Sequence, residues 1–281
     1  MAGRVGLVTD STSSIPAALA AQWGITVVPT QIRIGQHVRA EHVVPSDVLV
    51  TALQRNMDVS TSPPDPSGFA WAYQDLAARG ADEVISVHIS GRQSETIEVA
   101  RSAAAQARIP VHVVDSATTG MSLGYAVLAA ARTAGAGGSA RRVMGTLSKR
   151  LEHSSELIYV DTLEYLRKGG RIGAASALLG SALSLKPLLT MKNGQVAPLE
   201  RVLGAERALR RLVDAAVRRA DGREVDVAIE HFGAAAKATK VLDRLKQLLP
   251  AAKEITFTEV SAAIGVHVGP GAVGITISAT R

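Results

Sequence analysis

Short apolar runs separated by polar, hydroxyl-rich loops and amphipathic stretches set the pattern of this chain. Residues 5–8 form the first apolar run, which empties into Thr9-Asp10-Ser11-Thr12-Ser13-Ser14. Pro16 then stands where a first helical turn tolerates it, a helix is predicted to Gly24, and residues 25–28 form the next strand. Strand, polar loop, helix and strand make a βαβ unit, whose crossover requires a parallel sheet covered on both faces. The loop at the carboxyl end of such a strand is where these folds take ligands. The same motif recurs at 84–89, which opens into Ser90-Gly91-Arg92-Gln93-Ser94-Glu95-Thr96 before a helix reaching 107. It recurs again at 111–114, followed by Asp115-Ser116-Ala117-Thr118-Thr119-Gly120 and a long alanine-rich helix. Both aspartates that end these strands are read as loop architecture tied to backbone donors. Between the first two units the pattern predicts a hairpin over 31–39, a helix over 47–55 capped by Ser46, and a helix over 67–79. Pro63, Pro64 and Pro66 give the hydroxyl-bearing stretch from Ser60 an extended path.

After a helix at 140–153 and a strand at 157–160, a second domain is expected to take over, so the chain divides into 1–155 and 156–281. A short helix carrying Leu163 and Leu166 ends in a basic Gly169-Gly170-Arg171 turn, and residues 172–185 then pass without a charge. That run is too short to cross a bilayer. Its composition predicts a helix apolar almost all round, buried or lining an apolar cavity. A strand at 188–191 leads through Asn193-Gly194, a strong hairpin signal. Helices at 205–220 and 235–249 and strands at 225–229, 254–260 and 272–278 complete the pattern, with His267 in a loop between glycines.

Composition narrows the class. The 281 residues are 47% apolar and 20% charged, enough for a sizeable core and two compact domains. The absence of cysteine removes disulfides, thiolate nucleophiles and zinc–cysteine sites and is compatible with a cytoplasmic location. No metal or cofactor is expected. The amino-terminal residues read as neither signal peptide nor anchor, so no stable membrane insertion is expected. The net charge of +6 suggests an acidic partner. Arg207, Arg210, Arg211, Arg218 and Arg219 nevertheless read as the solvated face of a helix, and no aromatic platform or reading helix accompanies them for nucleic acid. No GxxxxGK loop is present to hold ATP.

Seven motifs in order resemble the DegV family over nearly the whole chain. They are VTDSTSSIP, the Thr61-Ser62-Pro63-Pro64 loop, His88-Ile89-Ser90 with Ser94 and Thr96, VVDSATTGMSLG, DTLEYLRKGGRIG, LKPLLT and HVGPGAVGI. The resemblance implies an α/β protein with an N-terminal parallel-sheet domain, a C-terminal domain with a mixed sheet, and one long-chain fatty acid held between them. It implies a non-catalytic carrier that presents the acyl carboxylate to a separate ATP-using kinase subunit, which makes an acyl phosphate. Thr61 and Ser94, with Thr96 beside them, match the hydroxyls at the ligand carboxylate. His267 completes that polar end, and Arg171 matches a basic position on the face that meets the kinase.

The physics of such a ligand agrees. Withdrawing roughly fifteen methylenes from water is worth on the order of 12 kcal/mol at about 0.8 kcal/mol each, which calls for an enclosed apolar slot. Residues 172–185 are the expected wall. The chain departs from the family where Gln93-Ser94-Glu95-Thr96 replaces the usual Leu-Ser-Gly-Thr: an inward Glu95 would repel a carboxylate, and an outward one would change nothing. Two other classes stay open on the residues alone: a hydrolase using Ser94 or Ser11, for which no neighbouring motif supplies base and orienting acid, and a regulatory module controlled by a small-molecule ligand.

Overall fold

The computed structural model describes residues 3–178 and 184–280. The chain enters on β1 (Val5–Asp10) and crosses through α1 (Ala17–Gln22) to β2 (Ile25–Val28). It then leaves for an excursion made of β3 (Gln31–Ile34), β4 (His37–Ala40), α2 (Ser46–Gln54) and β5 (Val59–Ser62). Through α3 (Pro66–Ala78) it returns to β6 (Glu83–His88), and α4 (Thr96–Ala104) leads to β7 (Val111–Asp115). Strands β2-β1-β6-β7 form one sheet, every pair parallel. Because a parallel sheet is covered on both faces, successive residues bury in opposite directions: Leu7 packs toward one layer of helices and Val8 toward the other. The excursion is a small antiparallel sheet, β4-β3-β5, which includes the predicted hairpin. Helix α2 begins at Ser46 itself, with Pro45 in the cap position and no side-chain cap, so the expected Ser46 cap is not made.

Helices α5 (Gly120–Gly135) and α6 (Ala140–Glu152) lead to β8 (Ser154–Tyr159) and α7 (Glu164–Lys168). The hairpin β9 (Leu185–Lys192) and β10 (Gln195–Leu203) turns at Asn193-Gly194, where both residues have positive φ, the conformation that suits Asn-Gly. Then follow α8 (Ala205–Ala220), β11 (Val225–Phe232), α9 (Ala235–Leu248), β12 (Ala252–Glu259), α10 (Ala262–Val268) and β13 (Ala272–Ala279). The second sheet runs β10-β9-β8-β13-β11-β12 and is mixed: β11 and β12 are parallel and the other neighbours antiparallel. Two of the arginines of α8 pair with local acids, Arg210 with Glu206 and Arg211 with Glu200, as expected of a solvated face. Among the described residues no helix is long and apolar enough to cross a membrane.

The helix buried on nearly every side is α5, not the 172–185 run. It lies between the two sheets, packing on β1 and β6 on one side and on β8, β11 and β13 on the other. Small residues such as Gly124 and Ala126 let it fit there. In the charge-free run the described part is a turn of 3-10 helix, Gly173–Leu178, and the rest of the expected helix, at 179–183, lies outside the described residues.

Two carboxyl groups from the mixed sheet meet the start of α5. Glu230 Oε2 accepts from Met121 N at 3.1 Å, and Glu156 Oε2 accepts from Ser122 Oγ at 2.8 Å. Negative charge is favoured at a helix N-terminus, which helps to hold these acids. The Thr276 hydroxyl lies 2.8 Å from Glu156 Oε2 and 3.2 Å from Glu230 Oε2. One hydroxyl carries one proton, so it serves both oxygens only when one acid is protonated and donates to it. Burial, and then the charge of Glu230, push the Glu156 carboxyl well above the ordinary value. Burial likewise raises Glu230.

A group raised in the folded state stabilises fully below its unfolded value and loses that contribution as pH rises through its folded value. Wild-type stability relative to Glu156→Gln should therefore fall as pH rises above the ordinary glutamate value of about 4.5, by up to about 1.4 kcal/mol per pH unit. The amide keeps the hydrogen bonds and removes the titration. Urea denaturation across that range checks this, and parallel curves for the two proteins would refute it.

Candidate functional site

The carboxyl ends of β1 and β6, the end of β5, and helices α7 and α10 converge on one cleft between the sheets. Its empty space, counted out through its open mouth, is about 680 Å³. Thr61, Ser94, Arg171 and His267 all line it. Thr61 is placed by β5, where it stands opposite Ile32 of β3. Ser94 precedes α4 in a loop that folds back on itself through Gln93 N and Ser94 N to Ser90 O. Thr96 is not among the lining residues. It is fully buried behind Ser94, with its hydroxyl 2.8 Å from Ser94 Oγ and its backbone N–H donating to the same oxygen at 3.3 Å. With Thr96 as donor of both bonds, the Ser94 proton is left to point into the cleft.

His267 lies in the last turn of α10, not in a loop as expected. Its Nε2 is 2.8 Å from Thr61 Oγ1, a contact between residues 206 apart in sequence. Burial first, and the positive Arg171 second, push this imidazole down to about 4, so it is neutral at physiological pH. Nδ1 is buried and has no hydrogen-bond partner among the described residues. A bare lone pair is the cheaper orphan, so the proton belongs on Nε2, donating to Thr61 Oγ1. The Thr61 proton is then free, like that of Ser94, to donate into the cleft. Glycine is required at 169: a Cβ there would lie 2.1 Å from His267 Nδ1. Arg171 is held by Nε to Gln93 O at 3.1 Å and by Nη1 to Gly169 O at 2.7 Å, which joins the α7 turn to the Ser94 loop.

The start of α10 is anchored by Glu41, which the sequence reading missed. Its Oε1 accepts from Ser261 Oγ at 2.8 Å and Ala262 N at 2.6 Å, while its Oε2 accepts from Thr30 Oγ1 at 2.5 Å and from Ser11 Oγ. One buried carboxyl group thus ties the helix that carries His267 to the β1 and β2 ends of the other sheet. Nothing in the local sequence, Arg39-Ala40-Glu41-His42, distinguishes this glutamate from a surface one.

The remaining walls are apolar: Ile89, Ile158, Leu166, Met191, Ile264 and Val268. No described residue of the 172–185 run is among them. Instead Ala175, with Ile172 and Leu178 against it, packs into a small core beside the cleft. The slot is walled by strands β8 to β10 and helix α10, whose contributions are single residues in otherwise ordinary elements. Glu95 is exposed and does not line the cleft, and its φ of −77° needs no glycine, so the acidic substitution leaves the site's charge unchanged.

Asp10 and Asp115 are tied to backbone donors as expected, Asp10 to Thr12 N and Ile89 N, and Asp115 to Gly91 N and Ala117 N. Asp10 also enters a Ser–His–Asp arrangement that the motifs did not reveal. Ser86 Oγ is 2.7 Å from His88 Nε2, and His88 Nδ1 is 3.0 Å from Asp10 Oδ2. The parallel register that sets Val8 beside Ser86 brings these side chains together across 78 residues. All three are fully buried, and Tyr73 hydroxyl, 2.9 Å from Ser86 Oγ, occupies the side from which a substrate would have to come. Burial would raise Asp10, but His88, Thr12 and the Ile89 N–H outweigh it and hold the carboxyl below its ordinary value. The set is a satisfied core network. At the two serines weighed as nucleophiles no imidazole is present: Ser94 Oγ meets Thr96, and Ser11 Oγ meets Glu41 and Thr30.

Comparison with known proteins places this geometry. The family model described as "Uncharacterised protein, DegV family" matches residues 4–280. The chain belongs to the DegV family. A DegV domain-containing protein of Streptomyces coelicolor is 43% identical over 279 residues, covering 99% of each chain. A DegV family protein from Thermus thermophilus, solved as a case of fatty acid binding, is 32% identical with a TM-score of 0.91, covering 98% of this chain and 99% of that one. DegV from Bacillus subtilis, described as a fatty acid binding protein, is 27% identical with a TM-score of 0.89, covering 99% of this chain and 100% of that one. The two-sheet α/β architecture is therefore that of the family.

Two outcomes test the geometry without any ligand. In Gly169→Ala the His267 ring must leave Thr61 for a wetter position, so its pKa should rise from about 4 toward the free imidazole value of about 6.5, read by NMR titration. Glu41→Ala strands three hydroxyls and one backbone N–H, and should lower stability in urea by at least about 2 kcal/mol. A variant as stable as wild type would show that α10 is held by other contacts.

Proposed function

We propose that this DegV family protein is a fatty-acid carrier that holds one long-chain fatty acid and presents its carboxylate to an ATP-using kinase subunit for conversion to acyl phosphate. The observation that carries the reading is the cleft itself: an apolar slot between the sheets with two hydroxyls and a neutral imidazole at one end. The hydroxyls of Thr61 and Ser94 would donate to the carboxylate, and His267 would hold Thr61 in the donating orientation. Neutral donors leave the carboxylate its charge, where a bidentate guanidinium would neutralise more of it. In the transfer, a carboxylate oxygen attacks the γ-phosphorus of ATP, the bond to the bridging oxygen breaks, and ADP leaves. No phosphate-binding loop of the GxxxxGK type lies in this chain, which is why the ATP is assigned to a partner.

A second hollow supports access from outside. It lies on the far side of Thr61 and His267 and is lined by Asp58, Ser60, Tyr165, Lys168 and Arg171. Arg171 and Lys168 give that opening its positive side chains, suited to a phosphoryl donor arriving with a partner. The fatty-acid binding described for the Thermus thermophilus and Bacillus subtilis relatives supports the ligand class.

Solvent extraction of the purified protein followed by mass spectrometry should yield a long-chain fatty acid in about equal amount to protein. Ser94→Ala and Thr61→Val should each weaken fatty-acid binding roughly ten- to hundredfold, the loss of one hydrogen bond to a charged group. Protein that is empty and also rejects added fatty acid would overturn the carrier reading. Acyl phosphate formed only when a kinase subunit and ATP are added separates the kinase role from a regulatory module.

A further inference from the structure

The loop that carries Ser94 is clasped from the opposite sheet. Gly194, at the tip of the β9–β10 hairpin, is buried, although such tips ordinarily face water. Ser90, Arg92 and Gln93 lie against that tip. Gly194 O accepts from Ser90 Oγ at 2.8 Å and from Gln93 Nε2 at 3.2 Å, and Asn193 O accepts from Arg92 Nη1 at 3.2 Å. A carbonyl only accepts, so it is the amide nitrogen of Gln93 that faces it. The approach is close: a Cβ at position 194 would lie 2.4 Å from Ser90 Oγ.

These ties meet Ser94 through Gln93. The Gln93 backbone N–H donates to Ser90 O at 2.8 Å, and its C=O accepts from Arg171 Nε at 3.1 Å. The next N–H, that of Ser94, donates to Ser90 O at 3.2 Å. The peptide between Gln93 and Ser94 is thus fixed at both of its polar groups, and its planarity carries that constraint to the Ser94 Cα. The side-chain amide then sets this peptide relative to the other sheet, gripping the hairpin that also supplies Met191 and Val196 to the apolar walls. Gln93 itself lines the cleft beside Ser94. A hydrogen bond weakens steeply when its angle falls below about 120°, so the direction in which the Ser94 side chain leaves the backbone matters to any ligand held by that hydroxyl.

We infer that Gln93 is a positioning residue for the ligand's head group: by clasping its amide to Gly194 O it sets the direction in which Ser94 donates to the carboxylate. The inference rests on the fatty-acid reading and adds to it a residue that acts through Ser94, without a bond of its own to the ligand. A clasp that only held the fold together would affect every ligand alike. A positioning clasp acts on the charged head, and its effect vanishes once the Ser94 hydroxyl is removed, because coupled residues are not additive.

The test is a double-mutant cycle on the delipidated full chain, with palmitic acid and hexadecanol titrated on each preparation. Gln93→Leu, which keeps the bulk and removes the donor, should weaken palmitic acid about three- to tenfold and leave hexadecanol within about twofold. In a Ser94→Ala background the same change should cost the acid nothing further. Gly194→Ala attacks the clasp from the other side, through its Cβ and the positive φ of 77°, and should shift the acid-to-alcohol ratio in the same direction. Partial misfolding of a variant lowers both affinities together, so the ratio stays readable. Acid affinity unchanged in Gln93→Leu, or an equal loss with and without the Ser94 hydroxyl, overturns the inference and leaves the carrier reading standing. Equal losses for acid and alcohol overturn it as well, by leaving the clasp a structural role alone. If the wild-type protein takes up neither ligand, carrier reading and inference fall together.

Discussion

Everything at the polar end of the cleft depends on where α10 begins, and that is decided by one buried carboxyl group. Glu41 collects Ser11 and Thr30 from one side of the seam and Ser261 and Ala262 from the other. A seven-residue helix has too little cooperativity to hold itself in place. Fixed at its N-terminus, it delivers His267 two turns later to within hydrogen-bonding distance of Thr61, while Ile264 and Val268, on the same face, form the wall beside it. The head group and the wall are thus set by one element. A shift of α10 would spoil both at once.

The seam is otherwise a contest between apolar filling and polar residues that need partners. Helix α5 resolves most of it by being apolar nearly all round and narrow enough to lie between two sheets. Where its N-terminus arrives, the mixed sheet offers two glutamates, and the helix N–H groups and hydroxyls take them up. The cleft lies in the same seam, with Ile89, Ile158, Ile264 and Val268 among its walls.

Much of the fold was legible because its signals are local. The βαβ repeats, the Asn193-Gly194 turn, the amphipathic α8 and the hydroxyl loops after β1, β6 and β7 are each specified within a dozen residues. Thr61, Ser94, Arg171 and His267 were visible through the family motifs, and the structure sets them around one cleft. What escaped was non-local. Glu41 reads as a surface residue until α10 arrives from 220 positions away. Ser86, His88 and Asp10 become neighbours only through strand register. The 172–185 run misled because lack of charge was taken for helical burial, whereas the described portion, rich in Gly and Ala, makes a tight turn against a minor core. Glu156 and Glu230 lie at the ends of the apolar runs 157–160 and 225–229, so nothing local marked them as buried, and buried acids are rare without a specific partner.

The two hydroxyl networks differ in what can reach them. Ser86, His88 and Asp10 have the relationships of a hydrolytic triad, yet Tyr73 and the β-sheet close the nucleophile off, and every donor in the set already has an acceptor. At the open cleft the situation is reversed: Ser94 and Thr61 line the space, Ser94 Oγ with Thr96 beside it and Thr61 Oγ1 against the neutral His267 imidazole. Hydroxyls and a neutral imidazole at the end of an apolar slot are suited to hydrogen-bonding an anion without neutralising it.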